Sequence, residues 1–270
     1  MITTTVKNHT ILPYETDILL MDILGVSRID LHTQNLQLNP TQELQLEDAL
    51  KRRAKGEPLQ YIIGKTEFYG LSFYVAPGVF IPRPETEILV ETVLNIFKGL
   101  PVDSCQSASV LDLCTGSGCI AISLAKYTKC DKIIATDVSE IAVNTAKKNA
   151  VLNGAGGKID FRVASLFNGL RHNEKFDIIT CNPPYIKKDD IKKLPQEVAW
   201  EPQIALDGGQ DGLDFYRKIS QGAAQFLKES GILALELGDG QAYEVKNMFG
   251  GNTKIIKDTN GIERVLIWIK

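Results

Sequence analysis

The sequence predicts an α/β fold: a mostly parallel sheet covered by helices on both faces, with a small helical unit ahead of it. Three observations carry this expectation. From residue 109 onward, apolar strand-like runs alternate with amphipathic helix-like stretches, the pattern of repeated βαβ units. The 270 residues are 44% hydrophobic and 23% charged, a globular balance that excludes whole-chain disorder and collagen-like or coiled-coil fibres. A chain of this length buries about three-quarters of its unfolded surface, so it needs no disulfide or metal staple.

The elements follow in order. Tyr14, Ile18, Leu19, Met21, Ile23 and Leu24 make an apolar stripe over 14–24, stopped by Gly25. Leu44, Leu46, Leu50 and Ala54 make a second over 41–55, opened by Asn39-Pro40-Thr41 and closed by Gly56 and Pro58. Proline just inside the start and glycine past the end fit helix boundaries. Residues 1–65 therefore read as a small helical domain. Phe68, Tyr69, Leu71, Phe73 and Val75 are strand-like, with turn signals at Gly70 and Pro77-Gly78. They predict a hairpin or extended linker over 66–84. Glu85 opens a helix to about Phe97, and residues 85–270 form the main domain. Its strands are predicted at 109–113, 132–136, 159–163, 176–181, 231–237, 252–257 and 264–269. Its further helices are predicted at 118–127, 139–152, 213–229 and 240–249. Ligands of such sheets bind beyond the carboxyl ends of the strands, near the point where strand order reverses.

Charge and cysteine usage narrow the function classes. Thirty basic and thirty-three acidic residues give a net charge of −3, which argues against gripping a long nucleic-acid backbone. The cysteines are Cys105, Cys114, Cys119, Cys130 and Cys181, an odd number with no C-x-x-C. That points to a reducing compartment. His9, His32 and His172 do not stand at ligand spacing from a cysteine pair, so no metal is expected. The first twenty residues lack the pattern of a signal peptide, and no apolar run reaches the ~20 residues that span a bilayer. The chain reads as cytoplasmic, with no membrane partner.

Two segments carry chemistry. The first, VLDLCTGSGCIAISLA, is an apolar strand, a glycine turn and a helix. Gly116 and Gly118 allow a sharp turn and close approach of a ligand to the backbone, and the helix start offers free N–H groups. The turn departs from the G-x-G-x-x-G dinucleotide pattern, with Ala121 in place of the last glycine, an exchange that pattern tolerates; a nicotinamide site and a bare structural turn both remain open. Asp137 ends the next strand, nineteen residues after Gly118, where an acid can accept the two ribose hydroxyls of an adenosine. It could instead cap the following helix, but Ser139 is an equally good cap. Cys114 and Cys119 read as small packing residues.

The second segment ends the strand FDIITC in Asn182-Pro183-Pro184-Tyr185. A bare proline turn would explain the prolines but not the Asn before them or the aromatic after. A planar amino group does explain them. Its lone pair is delocalised and attacks poorly, and acceptors for both N–H bonds raise its reactivity. The Asn182 side-chain carbonyl supplies one acceptor. The Pro183 carbonyl, held by a fixed φ, supplies the other, and Tyr185 can lie flat on the plane.

With these motifs the chain resembles the HemK/PrmC peptide chain release factor glutamine methyltransferases over essentially its whole length. The glycine turn and NPPY alone belong to a wider class of amino-methyltransferases. IPRPETE at 81–87, with YIIGKTEFYG at 61–70, is far more specific, and the PETE portion favours the release-factor branch over enzymes modifying a ribosomal protein. The resemblance implies a Rossmann-like, seven-stranded class I methyltransferase sheet and S-adenosylmethionine as cofactor. It implies that Cys114, Thr115, Gly116, Ser117 and Gly118 hold the methionine end, Asp137 the ribose, and Leu166 the border of the adenine. It implies that Asn182, Pro183, Pro184 and Tyr185 hold the glutamine of a GGQ motif in a release factor, and that the chain acts as a monomer without stable nucleic-acid binding. Two departures stand out: Cys114 where many members have Gly, and Ser165-Leu166 where many have an acid and an aromatic. Gly208-Gly209-Gln210 mimics the target tripeptide, but a surface turn accounts for it better than self-methylation. An adenine amino-methyltransferase acting on nucleic acid and a non-catalytic nucleotide-binding adaptor are the alternatives.

Overall fold

The computed structural model describes residues 11–99, 107–130 and 132–270; Cys105 and His9 lie outside them. The chain opens with four helices: α1 (Pro13–Leu24), α2 (Arg28–Thr33), α3 (Pro40–Ala54) and α4 (Leu59–Ile63). Proline begins α1 and α3, and Gly25 ends α1 at φ 67°. Leu19, Leu20, Leu46, Ala49 and Leu50 form a small core of their own. The sequence reading passes over α2 and α4, which are six and five residues long. The first has a local signal: Ser27 Oγ accepts from Asp30 N at 3.2 Å, a cap written in Ser-Arg-Ile-Asp.

A hairpin follows, β1 (Lys65–Phe68) antiparallel to β2 (Leu71–Tyr74). Phe68 and Phe73 cross edge-to-face at 6.1 Å and are buried in the core of the main domain. The hairpin's aromatic face is thus fastened to the sheet domain, while Lys65 of β1 pairs with Asp22 of α1 at 2.7 Å.

The main domain runs α5 (Thr86–Gly99), β3 (Ser109–Leu113), α6 (Cys119–Tyr127), β4 (Lys132–Asp137), α7 (Glu140–Leu152), β5 (Ile159–Val163), β6 (Phe176–Cys181), α8 (Asp214–Phe226), β7 (Leu227–Glu236), α9 (Ala242–Phe249), β8 (Thr253–Lys257) and β9 (Glu263–Ile269). The sheet order is β5-β4-β3-β6-β7-β9-β8. β3 to β7 are parallel, and β9 runs antiparallel to both its neighbours. Two apolar layers cover the faces. One contains α5 and α6 with the hairpin, and the other contains α8 and α9. This is the predicted α/β architecture with helices on both faces. Most boundaries shift by no more than two residues; the largest move is at β7, which starts at Leu227 rather than 231, and the predicted helix to 229 ends at Phe226. Ser230 adopts φ 61° and the β6–β7 register slips between Phe176 and Ile178, so a bulge interrupts the apolar run.

Candidate active site

β4 lies on one side of β3 and β6 on the other, so the strand order reverses at β3/β6. Leu113 and Cys181, the last residues of these two strands, are partners in the ladder. The residues that follow them therefore emerge side by side, into a cavity of about 370 Å3. Cys114, Thr115, Gly116 and Ser117 line it from the turn after β3, Asp137 from the end of β4, and Leu166 from beyond β5. Asn182, Pro183, Pro184 and Tyr185 line it from beyond β6. Gly118 is not at the cavity wall. It adopts φ 85°, and a Cβ there would stand 2.8 Å from Ile122 Cδ1 and 3.0 Å from Ala146 Cβ, so its contribution is to let α6 pack against α7.

The turn is tied from beneath. Thr115 N donates to Thr136 O at 3.0 Å. The hydroxyls of Thr115 and Thr180 donate to Asp112, at 2.6 and 2.8 Å. Asp112 is fully buried, and burial raises its pKa to about 6 against the pull of these hydroxyls. An acid in the middle of an apolar strand was the available signal for it. Cys114 sits at φ 55°, a left-handed conformation that costs a residue with a Cβ about 1–2 kcal/mol. Ser117 Oγ is buried and makes no hydrogen bond.

Asp137 accepts from Gly116 N at 2.8 Å through one oxygen and from Ser139 N at 2.9 Å through the other. Burial raises its pKa, while the Ser139 and Gly116 amides favour its charge. The cap of α7 is Ser139, whose Oγ accepts from Ala142 N at 3.2 Å. A carboxylate offers about four acceptor positions, so Asp137 keeps capacity for two more donors. This spare capacity, the orphaned Ser117 hydroxyl and the open space above Gly116 fit an adenosine-bearing cofactor. Leu166 borders the same wall at φ 47°, its carbonyl accepting from Thr136 Oγ1 at 3.3 Å. Phe167 turns the other way and stacks on Phe226 at 5.1 Å.

The NPPY segment is held by residues from distant parts of the chain. Asn182 Nδ2 donates to Thr86 Oγ1 at 3.1 Å. Gln241 Nε2 donates to Tyr185 O at 2.9 Å. Burial pushes the Tyr185 hydroxyl well above its usual pKa, so it stays neutral. Gly208 and Gly212 press on the backbone of Tyr185: a Cβ on Gly208 would stand 2.8 Å from Tyr185 Cα, and one on Gly212 2.5 Å from its carbonyl oxygen. Lys188 N donates to Gly209 O at 3.0 Å. The Gly208-Gly209-Gln210 turn is thus a brace for Tyr185. Gln210 is exposed and is not at the cavity wall.

IPRPETE forms the facing wall. Ile81 N donates to Glu201 Oε2 at 3.0 Å, and Arg83 pairs with the other oxygen of Glu201. Arg83 also lies 5.0 Å over the Phe80 ring. Glu87 Oε1 accepts from Tyr69 N at 2.8 Å, and Tyr61 donates its hydroxyl to Val79 O at 2.7 Å. Thr86, Glu201, Glu236 and Gln241 are buried polar residues that sequence reasoning missed. The helical domain reaches this wall through Arg53, which bonds Glu197 Oε2 at 3.1 Å, and Lys55, whose carbonyl accepts from Gln196 at 3.1 Å.

Residues 71–263 match the family described as Methyltransferase small domain, and residues 11–64 match the PrmC N-terminal domain. Among curated proteins, the release factor glutamine methyltransferase of Thermodesulfovibrio yellowstonii is 44% identical over 258 residues, covering 94% of this chain and 91% of that protein. The protein of the same name from Geobacter sulfurreducens is 42% identical, covering 93% and 87%. That from Clostridium acetobutylicum is 38% identical, covering 95% and 90%. Among solved structures, a methyltransferase from Pyrococcus furiosus superposes with a TM-score of 0.56 at 21% identity, covering 86% of this chain and 98% of that one. The catalytic domain of hMettl16 in complex with a 3′UTR hairpin gives 0.60 at 18% identity, covering 95% and 91%. Likenesses at such low identity establish a shared fold.

Proposed function

The chain belongs to the family of release factor glutamine methyltransferases, and on that premise we propose the substrate and the residue roles by which it works. It is an enzyme, and S-adenosylmethionine is its methyl donor. The acceptor we infer is the side-chain amide of the glutamine in the GGQ motif of a peptide chain release factor. One observation carries the reading: the glycine turn with Asp137 and the NPPY segment meet in one cavity because β3 and β6 are neighbours.

Bound S-adenosylmethionine supplies an electrophilic methyl group on a sulfonium. Asp137 accepts the ribose hydroxyls with the capacity that Gly116 and Ser139 leave over. Cys114 to Ser117 hold the methionine end, with the Ser117 hydroxyl as a donor still without a partner, and Leu166 covers the adenine edge by apolar contact. Asn182 Oδ1 and the Pro183 carbonyl accept the two N–H bonds of the target amide. Two acceptors fix its plane, so its nitrogen cannot turn away, and Pro184 and Tyr185 wall it against water. The amide nitrogen becomes acidic only when methylated, so no general base is required to start.

Residues 1–65 dock the protein substrate, residues 66–84 link, and residues 85–270 carry the methyltransferase site. The basic cluster of α3 offers little to a phosphate backbone: Lys51 pairs with Glu47 at 2.6 Å, Arg52 with Glu57 at 2.5 Å and Arg53 with Glu15 at 2.5 Å. Nucleic acid is therefore the weaker alternative. The test is transfer of labelled methyl to a release factor, to its GGQ glutamine-to-alanine variant and to DNA. The reading expects label only on the first. For Asn182→Ala, turnover should fall at least about a hundredfold, the scale of one positioned transition-state hydrogen bond, with cofactor affinity changed by less than about threefold. Label on DNA alone would reject the glutamine reading.

A further inference from the structure

Glu236 ends β7, and the β6–β7 register pairs Cys181 with Leu235. One step on, Asn182 and Glu236 stand opposite each other. Directly opposed residues of neighbouring strands send their side chains to the same face. Glu236 is only 3% exposed, and its Oε2 makes no hydrogen bond. Thr86, at the start of α5, completes the cluster. It is buried and accepts from Asn182 Nδ2 at 3.1 Å, and both residues act on the Glu236 carboxyl in the direction that favours its charge.

We propose that Glu236 is a positioning residue for methyl transfer: with Thr86 it orients the Asn182 carboxamide so that Oδ1, not the NH2 group, faces the acceptor. The inference rests on the reading of Asn182 as an acceptor for the substrate amino group. An ionised carboxylate can only accept hydrogen bonds, so only the NH2 edge of Asn182 can face it. Thr86 Oγ1 takes one of the two hydrogens, and the carboxylate attracts the other. Oδ1 is then left for the cavity. A protonated Glu236 has an O–H to donate and can draw Oδ1 inward. Asn182 would then present NH2 to the substrate's own NH2, donor against donor.

Burial raises the Glu236 pKa to about 7, against the hydrogen bonds of Thr86 and Asn182. Glu85 ahead of α5 raises it further, and Arg264 of β9 lowers it. Arg264 is already engaged by Asp258 at 2.9 Å. Tyr185, Tyr216 of α8, Cys181 of β6 and Cys119 of α6 also feel this carboxylate, and burial pushes all four away from neutral pH in their uncharged forms. Between about pH 6 and about pH 8, Glu236 is therefore the group among these whose charge changes; Asp112 behind them, its pKa raised to about 6 by burial, titrates at the lower end of the same range, so the assignment rests on the pH dependence being lost in Glu236→Gln. The ionised fraction of Glu236 rises with pH, and so should the rate.

The experiment is single-turnover methylation of a release factor at saturating S-adenosylmethionine, from about pH 6 to about pH 8, paired with cofactor calorimetry. Wild-type protein should speed up with pH. Glu236→Gln keeps the shape but can offer either a donor or an acceptor. It should be slower by about 10- to 100-fold, the scale of loss when a partner that orients a metal-ligating side chain is removed. It should also lose the pH dependence and bind cofactor within about threefold of wild type. Glu236→Asp, which keeps an acceptor-only group, should recover part of the rate. Thr86→Val should slow transfer while leaving the pH dependence in place. A Glu236→Gln variant with wild-type rate and pH profile would overturn the proposal. So would one that loses cofactor binding along with rate, because a residue behind Asn182 leaves the cofactor half intact. Should wild-type protein methylate DNA instead of the release factor, the glutamine reading fails; the same variants, assayed on adenine, still decide the role of Glu236.

Discussion

Asp137 has two jobs, and they can be separated by measurement. Its oxygens accept from Gly116 N at 2.8 Å and Ser139 N at 2.9 Å, which fastens the glycine turn to the end of β4. The proposed ribose contacts use what remains. Asp137→Ala removes both. Hydrogen bonds to a charged group contribute about 1.5–3 kcal/mol each. For the protein without cofactor, the loss of two is offset by the relief of a buried charge, leaving a net loss of roughly 1–3 kcal/mol. At about 2–4 °C per kcal/mol for a chain of this size, Tm should fall by roughly 2–12 °C. For the cofactor, losing the acceptor of two hydroxyls should weaken binding by at least about tenfold. Asp137→Asn refines the picture. Its carbonyl can accept one of the two backbone amides, and its NH2 confronts the other, so Tm should again fall. The pKa of Asp137 is raised by burial. Acidification therefore protonates it earlier than an exposed Asp, and wild-type affinity should drop as pH is lowered while that of Asp137→Asn should not. Calorimetry with S-adenosylmethionine and thermal unfolding with and without it are the assays. An Asp137→Ala protein that melts lower but binds cofactor within threefold would confine Asp137 to fastening the turn and refute the ribose role.

Two further outcomes are expected. Asp112 has its pKa raised to about 6 from 3.8, so the folded state holds its proton more tightly than the unfolded chain. Its contribution to stability is full below the unfolded value and is lost as pH rises through about 6; relative to wild type, Asp112→Asn should gain about 3 kcal/mol between about pH 4 and about pH 8, at 1.36 kcal/mol per unit. Denaturant midpoints of the two proteins across that range check it, and a constant difference would mean that Asp112 is not the titrating group. Removing residues 1–65 takes away the separate helical core but keeps Phe68 and Phe73 in the main one. The shortened protein should bind cofactor and lose methylation of an intact release factor, and full activity would show that the helical domain does not dock the substrate.

Much of the fold was legible because its signals are local. The seven strands of the sheet were each predicted within a few residues; the central parallel ones read as bounded apolar runs because they are buried on both faces. The misses also have local causes. The start of β7 is hidden by Ser230-Gly231, which reads as a turn; a Cβ on Gly231 would stand 2.9 Å from Lys228 O, so the chain needs the glycine for a bulge rather than for a stop. Helices of five or six residues such as α2 and α4 give too few turns for a period to show. In the candidate site, the turn from Cys114 and the NPPY segment each lie within one strand–loop junction and could be read as motifs. Gly118 turns the chain as expected, but it stands away from the cavity wall where the sequence reading places it, and its tight packing against Ala146 of α7 depends on a neighbour that no local pattern names.

The missed residues share one property: each acts across a long stretch of chain. Thr86 reaches Asn182 over 96 residues, and Glu201 reaches Ile81 over 120. This divides the cavity into two physically different halves. The half we propose for the cofactor is built from backbone amides of contiguous turns and one carboxylate, so its pattern is compact. The acceptor half is built from side chains that only the register of β6 on β7 and the start of α5 bring together. It gives content to IPRPETE, whose Ile81, Arg83, Thr86 and Glu87 bind Glu201, Asn182 and the hairpin. A motif of this kind is specific because it must satisfy distant partners at once. It follows that exchange of the acceptor should require coordinated change at Thr86, Glu201 and Glu236, whereas the glycine turn and Asp137 can remain as they are.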